Sequence, residues 1–186
     1  MPSFVVPIAI AVVVLGAIIG VIAMGLGKKA ESNARAWMAA SWSLWTGGED
    51  SGTWEQQRAV TSLANWYGAS NPGTFWKVIE GLRKGQTGSA AWDIVRAFDL
   101  LRIGFAAKYV DDDQFLTEGS KMAVELQSKY ASWAELSGAF EKGMNDWQRS
   151  RNITDEKETG RVKRNQPTFQ ALTKKVGFKA KLVADD

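Results

Sequence analysis

The sequence predicts an all-α protein: a single N-terminal transmembrane helix, a compact bundle of about five to six helices, and a basic C-terminal tail. Three observations carry that expectation. Apolar residues recur at helical spacing through most of the chain between Ala30 and Arg149. N-cap residues stand just ahead of these runs and glycines close several of them. Residues 4–26 contain no charge at all. The expected organisation is an anchor over 1–29, a helical domain over 30–149 and a partly disordered tail over 150–186.

A chain of 186 residues is long enough for one domain with a proper core plus appendages, and an apolar share of 45% points to a globular fold. Cysteine and histidine are both absent. That excludes disulfides, thiolate nucleophiles, histidine-dependent acid–base chemistry and the common zinc sites. Any catalysis would fall to carboxylates, Lys, Tyr or Ser, which makes an enzyme the less expected reading, and no cofactor or metal is expected. The net charge of +3 is unevenly placed: 10 Lys and Arg stand against 5 Asp and Glu from Arg149 onward.

The elements follow in order. At about 1.5 Å of rise per residue, the run from Phe4 to Leu26 spans a hydrocarbon core of roughly 30 Å. It has no basic stretch ahead of it, which separates it from a cleaved signal peptide. Lys28, Lys29 and Arg35 follow it and no Lys or Arg precedes it, which places the N-terminus outside and the body in the cytoplasm. Gly16 and Gly20 form a GxxxG spacing that lets two such helices approach, so a homodimer through this helix is one expected assembly. From Ala30 to Trp45 an alanine-rich helix carries Trp37, Trp42 and Trp45 as core residues. A Gly-rich turn follows, and Thr53 with Gln56 reads as a capping box for a helix that ends at Gly68. Asn71 and Pro72 open the next helix, with Phe75, Trp76, Ile79 and Leu82 on one face.

The central element is Ala91 to Lys108. Its apolar residues lie on nearly every side, the pattern of a buried helix. Asp93, Arg96, Asp99 and Arg102 alternate in sign at intervals of three, so each acid can pair with the next arginine. The series drifts across half the helix circumference, and some of these charges must face protein, where they are costly unless paired. They form either a structural ion-pair network or the polar centre of a site, with Trp92 and Tyr109 beside them. If Arg96 is a buried partner, Arg96→Ala destabilises by about 3 kcal/mol or more. Asp111, Asp112 and Asp113 cap the helix that runs to Tyr130, a role that suits them better than metal binding. Ser132 with Glu135 is a second capping box, ahead of a core stripe of Trp133, Leu136, Phe140, Met144 and Trp147. After Arg149 the helical spacing is lost and Pro167 interrupts. Lys174, Lys175, Lys179 and Lys181 alternate with apolar residues and suit an anionic lipid surface or a protein partner; nucleic acid is the less expected partner.

The run Trp92-Asp93, Arg96, Arg102-Ile103-Gly104, Ala107 and Tyr109, followed by Ser132-Trp133-Ala134-Glu135-Leu136, Gly143 and Trp147, resembles the bacterial family known as domain of unknown function 1266. Trp66-Tyr67-Gly68 stands where its members carry a comparable aromatic-glycine turn. The resemblance covers roughly Trp37 to Arg149 and leaves the membrane run and the tail outside it. It implies a small helical domain and supplies no reaction; taken with the uncharged run 4–26, its bacterial membership makes a bacterial inner membrane the expected location. Two functions follow. One is a membrane-tethered interaction or scaffold module that binds a protein partner or anionic lipid. The alternative is a small-molecule receptor or enzyme with Asp93 and Arg96 in a tryptophan-lined pocket. Convergence of two or more ladder residues on an open cavity separates them.

Overall fold

A computed structural model of the chain describes residues 27–48, 54–154 and 160–182. These residues form seven helices and no strand: α1 over 27–46, α2 Gln56–Tyr67, α3 Pro72–Arg83, α4 Ala90–Ala106, α5 Asp112–Lys129, α6 Trp133–Ser150 and α7 Arg161–Thr173. The uncharged run 4–26, with Gly16 and Gly20, lies outside the described residues. Among those described, no helix is long and apolar enough to cross a membrane.

Helix α4 is the centre of the bundle because its sequence gives it no polar face to turn outward. Fourteen of its seventeen residues are buried. It packs against α2, α3, α5 and α6, and meets α1 where the Phe98 ring stands 6.0 Å from that of Trp37. Contact with α6 depends on Gly143. A Cβ there would lie 2.6 Å from Ser89 Cβ and 2.7 Å from Trp92 Cβ, closer than packed carbons tolerate. Gly143→Ala is therefore expected to destabilise by about 1–3 kcal/mol through overpacking, read as a lowered midpoint in urea.

Several ends are built as their residues suggest. Asn71 Oδ1 accepts from Thr74 N while Thr74 Oγ1 accepts from Asn71 N, with Pro72 in the first turn of α3. Asp111 and Gln114 make the same reciprocal pair at α5, and Asp112 pairs with Arg35 of α1 at 2.6 Å. Two ends differ from expectation. Thr53 lies outside the described residues, and α2 starts from Glu55 with no side-chain cap. At α6, Ser132 Oγ accepts from Glu135 N, but the Glu135 carboxylate reaches one residue further back, to Ala131 N at 2.7 Å. Helix α1 ends at Gly47, whose φ of +76° a side chain would disfavour.

The largest correction concerns the C-terminal segment. The loss of helical spacing after Arg149 suggested a tail that is partly helical at most; 161–173 is helical through Pro167, and 160–182 packs onto the bundle. Asn165 Nδ2 donates to the carbonyls of Leu44 and Trp45, at 3.0 Å each. These carbonyls lie in the last turn of α1, which has no further turn to satisfy them. Beyond α7 the chain runs as a strap with alternate residues inside: Val176, Phe178 and Leu182 are buried while Lys175, Lys179 and Lys181 are exposed. The strap has no ladder partner, so side chains take its carbonyls. Trp133 Nε1 donates to Val176 O at 3.1 Å and Trp37 Nε1 to Phe178 O at 2.9 Å. Gln127 Nε2 donates to Phe178 O and Ala180 O, and Asn33 Nδ2 to Lys181 O. Lys179 Nζ in turn donates to the carbonyls of Gln127 and Tyr130 at the C-terminal end of α5, where a cation also complements the helix dipole.

Candidate functional site

The charged ladder of α4 divides into two parts with different work. Asp93, fully buried, accepts from the backbone N and the Oγ1 of Thr87, both at 3.0 Å. It thereby fastens the turn before α4 to the first turn of that helix. Its nearest arginine contact, Arg96 Nη1, is 4.0 Å away, too long for a hydrogen bond. Asp99 and Arg102 form a buried pair: Arg102 Nη2 and Nε lie 2.6 Å and 3.0 Å from Asp99 Oδ1. Tyr109 takes no part in the network; its hydroxyl donates to Ser70 O at 3.0 Å and ties the loop after α4 to the loop before α3.

Arg96, with Asp99 beside it, reaches an opening. Its side chain lies in a cleft of about 370 Å³ lined by Trp45, Trp66, Tyr67, Trp92, Asp99, Trp147 and Arg161. Five helices contribute. Trp45 comes from the last turn of α1, Trp66 and Tyr67 from the end of α2, and Trp92, Arg96 and Asp99 from one face of α4. Trp147 comes from the end of α6, and Arg161 opens α7. Rings form the walls: Trp92 stands 5.3 Å from Trp45 at 81° and 5.5 Å from Trp147 at 39°. The arginines lie against them. Arg96 Cζ is 5.0 Å from the Trp92 ring centre and 5.9 Å from that of Tyr67, and Arg161 Cζ is 4.0 Å from that of Trp45. Contacts of this kind hold a guanidinium against a ring face, and Arg96 also hydrogen-bonds the Tyr67 side chain.

Two guanidiniums and one carboxylate line the cleft, and that carboxylate, Asp99, also faces Arg102 inside the core. Burial pushes the Tyr67 phenol above its usual range, the charge of Asp99 pushes the same way, and Arg96 opposes both. Tyr67 therefore keeps its proton at neutral pH and remains a donor. The indole N–H of Trp92, buried in the wall, has no hydrogen-bond partner. Trp66, by contrast, is 63% exposed, an unusual position for a tryptophan. A mostly aromatic, partly open volume with a few polar groups is the form that small-molecule sites take.

A family model described as Protein of unknown function (DUF1266) matches residues 23–175. The chain belongs to the DUF1266 family. Its match extends beyond the Trp37–Arg149 stretch that carried the resemblance, taking in all of α7, so Arg161 is part of the DUF1266 domain and not of an appended tail. No curated protein and no solved structure matches the chain.

Of the residues singled out in the sequence, Trp92, Arg96 and Asp99 meet at the cleft, while Asp93, Arg102 and Tyr109 support the frame around it. Trp45, Trp66, Tyr67, Trp147 and Arg161 complete the cleft without having been singled out as site residues. The tryptophans have the helical spacing of core residues, which conceals the fact that each stands at the end of its helix. Among the tail lysines, Lys174 and Lys175 are exposed, whereas Lys179 is engaged with α5.

Proposed function

We propose that this DUF1266 domain is a receptor that binds a small anionic, planar molecule in the tryptophan-lined cleft, and that residues 4–26 tether it to a membrane with the domain on the cytoplasmic side. The convergence of Arg96, Arg161 and Tyr67 on one aromatic cleft carries the ligand half of this reading. An arginine there can clamp a carboxylate or phosphate through two parallel N–H bonds, while the indoles stack on a planar body. The uncharged run and the lysines that follow it support the tether. The ligand half favours binding over reaction, since the cleft is mostly rings and arginine donors. A docking role for the exposed Lys174 and Lys175 is compatible with it, on a separate face of the strap.

A planar aromatic carboxylate, 2-naphthoate, tests the ligand half when titrated against the tryptophan fluorescence of the full-length protein, with neutral 2-naphthamide as control. Saturable binding of the acid is expected, with much weaker binding of the amide. Arg96→Ala should weaken the acid by about tenfold or more, since a hydrogen bond to a charged group contributes roughly 1.5–3 kcal/mol. Its melting temperature should change little. Equal binding of acid and amide, or an unchanged affinity in Arg96→Ala, would overturn the proposal.

A further inference from the structure

A second opening lies elsewhere on the domain. It is a groove of about 490 Å³ between the first described turn of α1 and the exposed side of α5, lined by Gly27, Ala30, Leu116, Ser120, Val124 and Leu182. Its floor is apolar and buried: Ala30 and Leu182 are each 4% exposed. Val124 on its edge is 41% exposed, one of two large apolar side chains so exposed among the described residues. The charged groups of its rim are already balanced, Glu31 by Arg35 at 3.2 Å and Lys121 by Glu118 at 2.7 Å. Lys28 and Lys29, also exposed, follow Gly27 directly.

We infer that this groove accommodates an acyl chain of an anionic phospholipid from the bilayer in which residues 4–26 are tethered. The inference rests on the tether half of the proposed function. Chain position is what selects the occupant. Gly27 lines the groove and Leu26 is the last residue of the uncharged run, so the two lie a single peptide step of about 3.8 Å apart. A tethered groove so close to the membrane surface meets lipid at a far higher local concentration than any soluble partner. Lys28 and Lys29 stand where the headgroup of that lipid would lie, and cations at this level favour anionic headgroups. The apolar floor then takes the chain, removing both chain and Val124 from water.

The test uses the full-length protein in lipid nanodiscs that contain phosphatidylglycerol with a diazirine in its acyl chain. After illumination, adducts are mapped by mass spectrometry. Adducts are expected on residues 116–124 and at Leu182. Val124→Glu should cut the yield on 116–124 by about tenfold, because a carboxylate is costly in an apolar groove, with an unchanged melting temperature, since Val124 is exposed. Labelling confined to residues 4–26 would overturn the groove while leaving the tether intact. Equal labelling by a phosphatidylcholine probe would overturn the anionic preference, and a crosslink from the groove to a second copy of the chain would overturn the lipid as occupant. Release of the protein from membranes by carbonate would overturn the tether itself, a result readily told apart from the others.

Discussion

Arg102→Ala is expected to lower the stability of the domain by about 3–5 kcal/mol, because it takes from a buried acid the guanidinium that lies 2.6 Å from it. Arg102 is 1% exposed and Asp99 is 4% exposed, so most of the pair is shielded from water. The urea midpoint should fall sharply with an unchanged slope. A second variant shows that the penalty comes from the stranded charge and not from lost packing: Asp99→Leu combined with Arg102→Met should recover most of the loss, since apolar residues of similar volume often replace a buried ion pair at no net cost. Arg96→Ala is the contrast. Its carboxylate neighbour is 4.0 Å away and already held by Thr87, so the loss should stay within about 1 kcal/mol, as for partly exposed pairs. The sequence alone attached a large penalty to Arg96 on the condition that it is buried; the structure transfers that penalty to Arg102.

Phe178→Ala should cost about 3–5 kcal/mol, the usual effect of removing a buried aromatic side chain. The ring lies 5.6 Å from Trp37 and 5.1 Å from Trp133, and its carbonyl accepts from Trp37 Nε1. Loss of the ring therefore weakens the strap at the point where α1, α5 and α6 hold it together. A chain ending at Arg149 should do worse, since it exposes the faces of Trp37 and Trp133 and removes the Asn165 cap from α1. Thermal unfolding of that truncated chain should be broad and of low amplitude, whereas a free tail would leave the melting curve unchanged. A truncated chain therefore cannot be used to ask what the tail binds.

The bundle was legible where one physical rule dominated. The all-round apolar pattern of 91–108 announced a central helix, and Asn71, Asp111 and Ser132 marked helix starts because a side-chain oxygen is needed there for orphan N–H groups. Beyond α7 the segment after Arg149 offers no period of 3.6 to read. Val176, Phe178, Ala180 and Leu182 alternate with Lys175, Gly177, Lys179 and Lys181, which is the period of two of an extended, half-buried chain. Such a strap without a strand partner needs carbonyl donors from elsewhere, and Trp37, Gln127 and Trp133 are too far away in sequence to suggest it. The cleft was half legible. The rule that buried charge must be paired identified the ladder, but which members face a core and which an opening depends on the packing of five helices. Tryptophan spacing could not show that Trp45, Trp66 and Trp147 each end a helix, and a ring at a helix end borders space that no following turn fills.

Native mass spectrometry of the full-length protein extracted from its own membranes tests the central claim most directly, run in parallel on Arg96→Ala. The account predicts that the native protein carries one small anionic molecule in stoichiometric amount, and that Arg96→Ala emerges without it at an unchanged melting temperature. Retention of the same molecule by both proteins would contradict the account, as would a bound species that proves to be neutral.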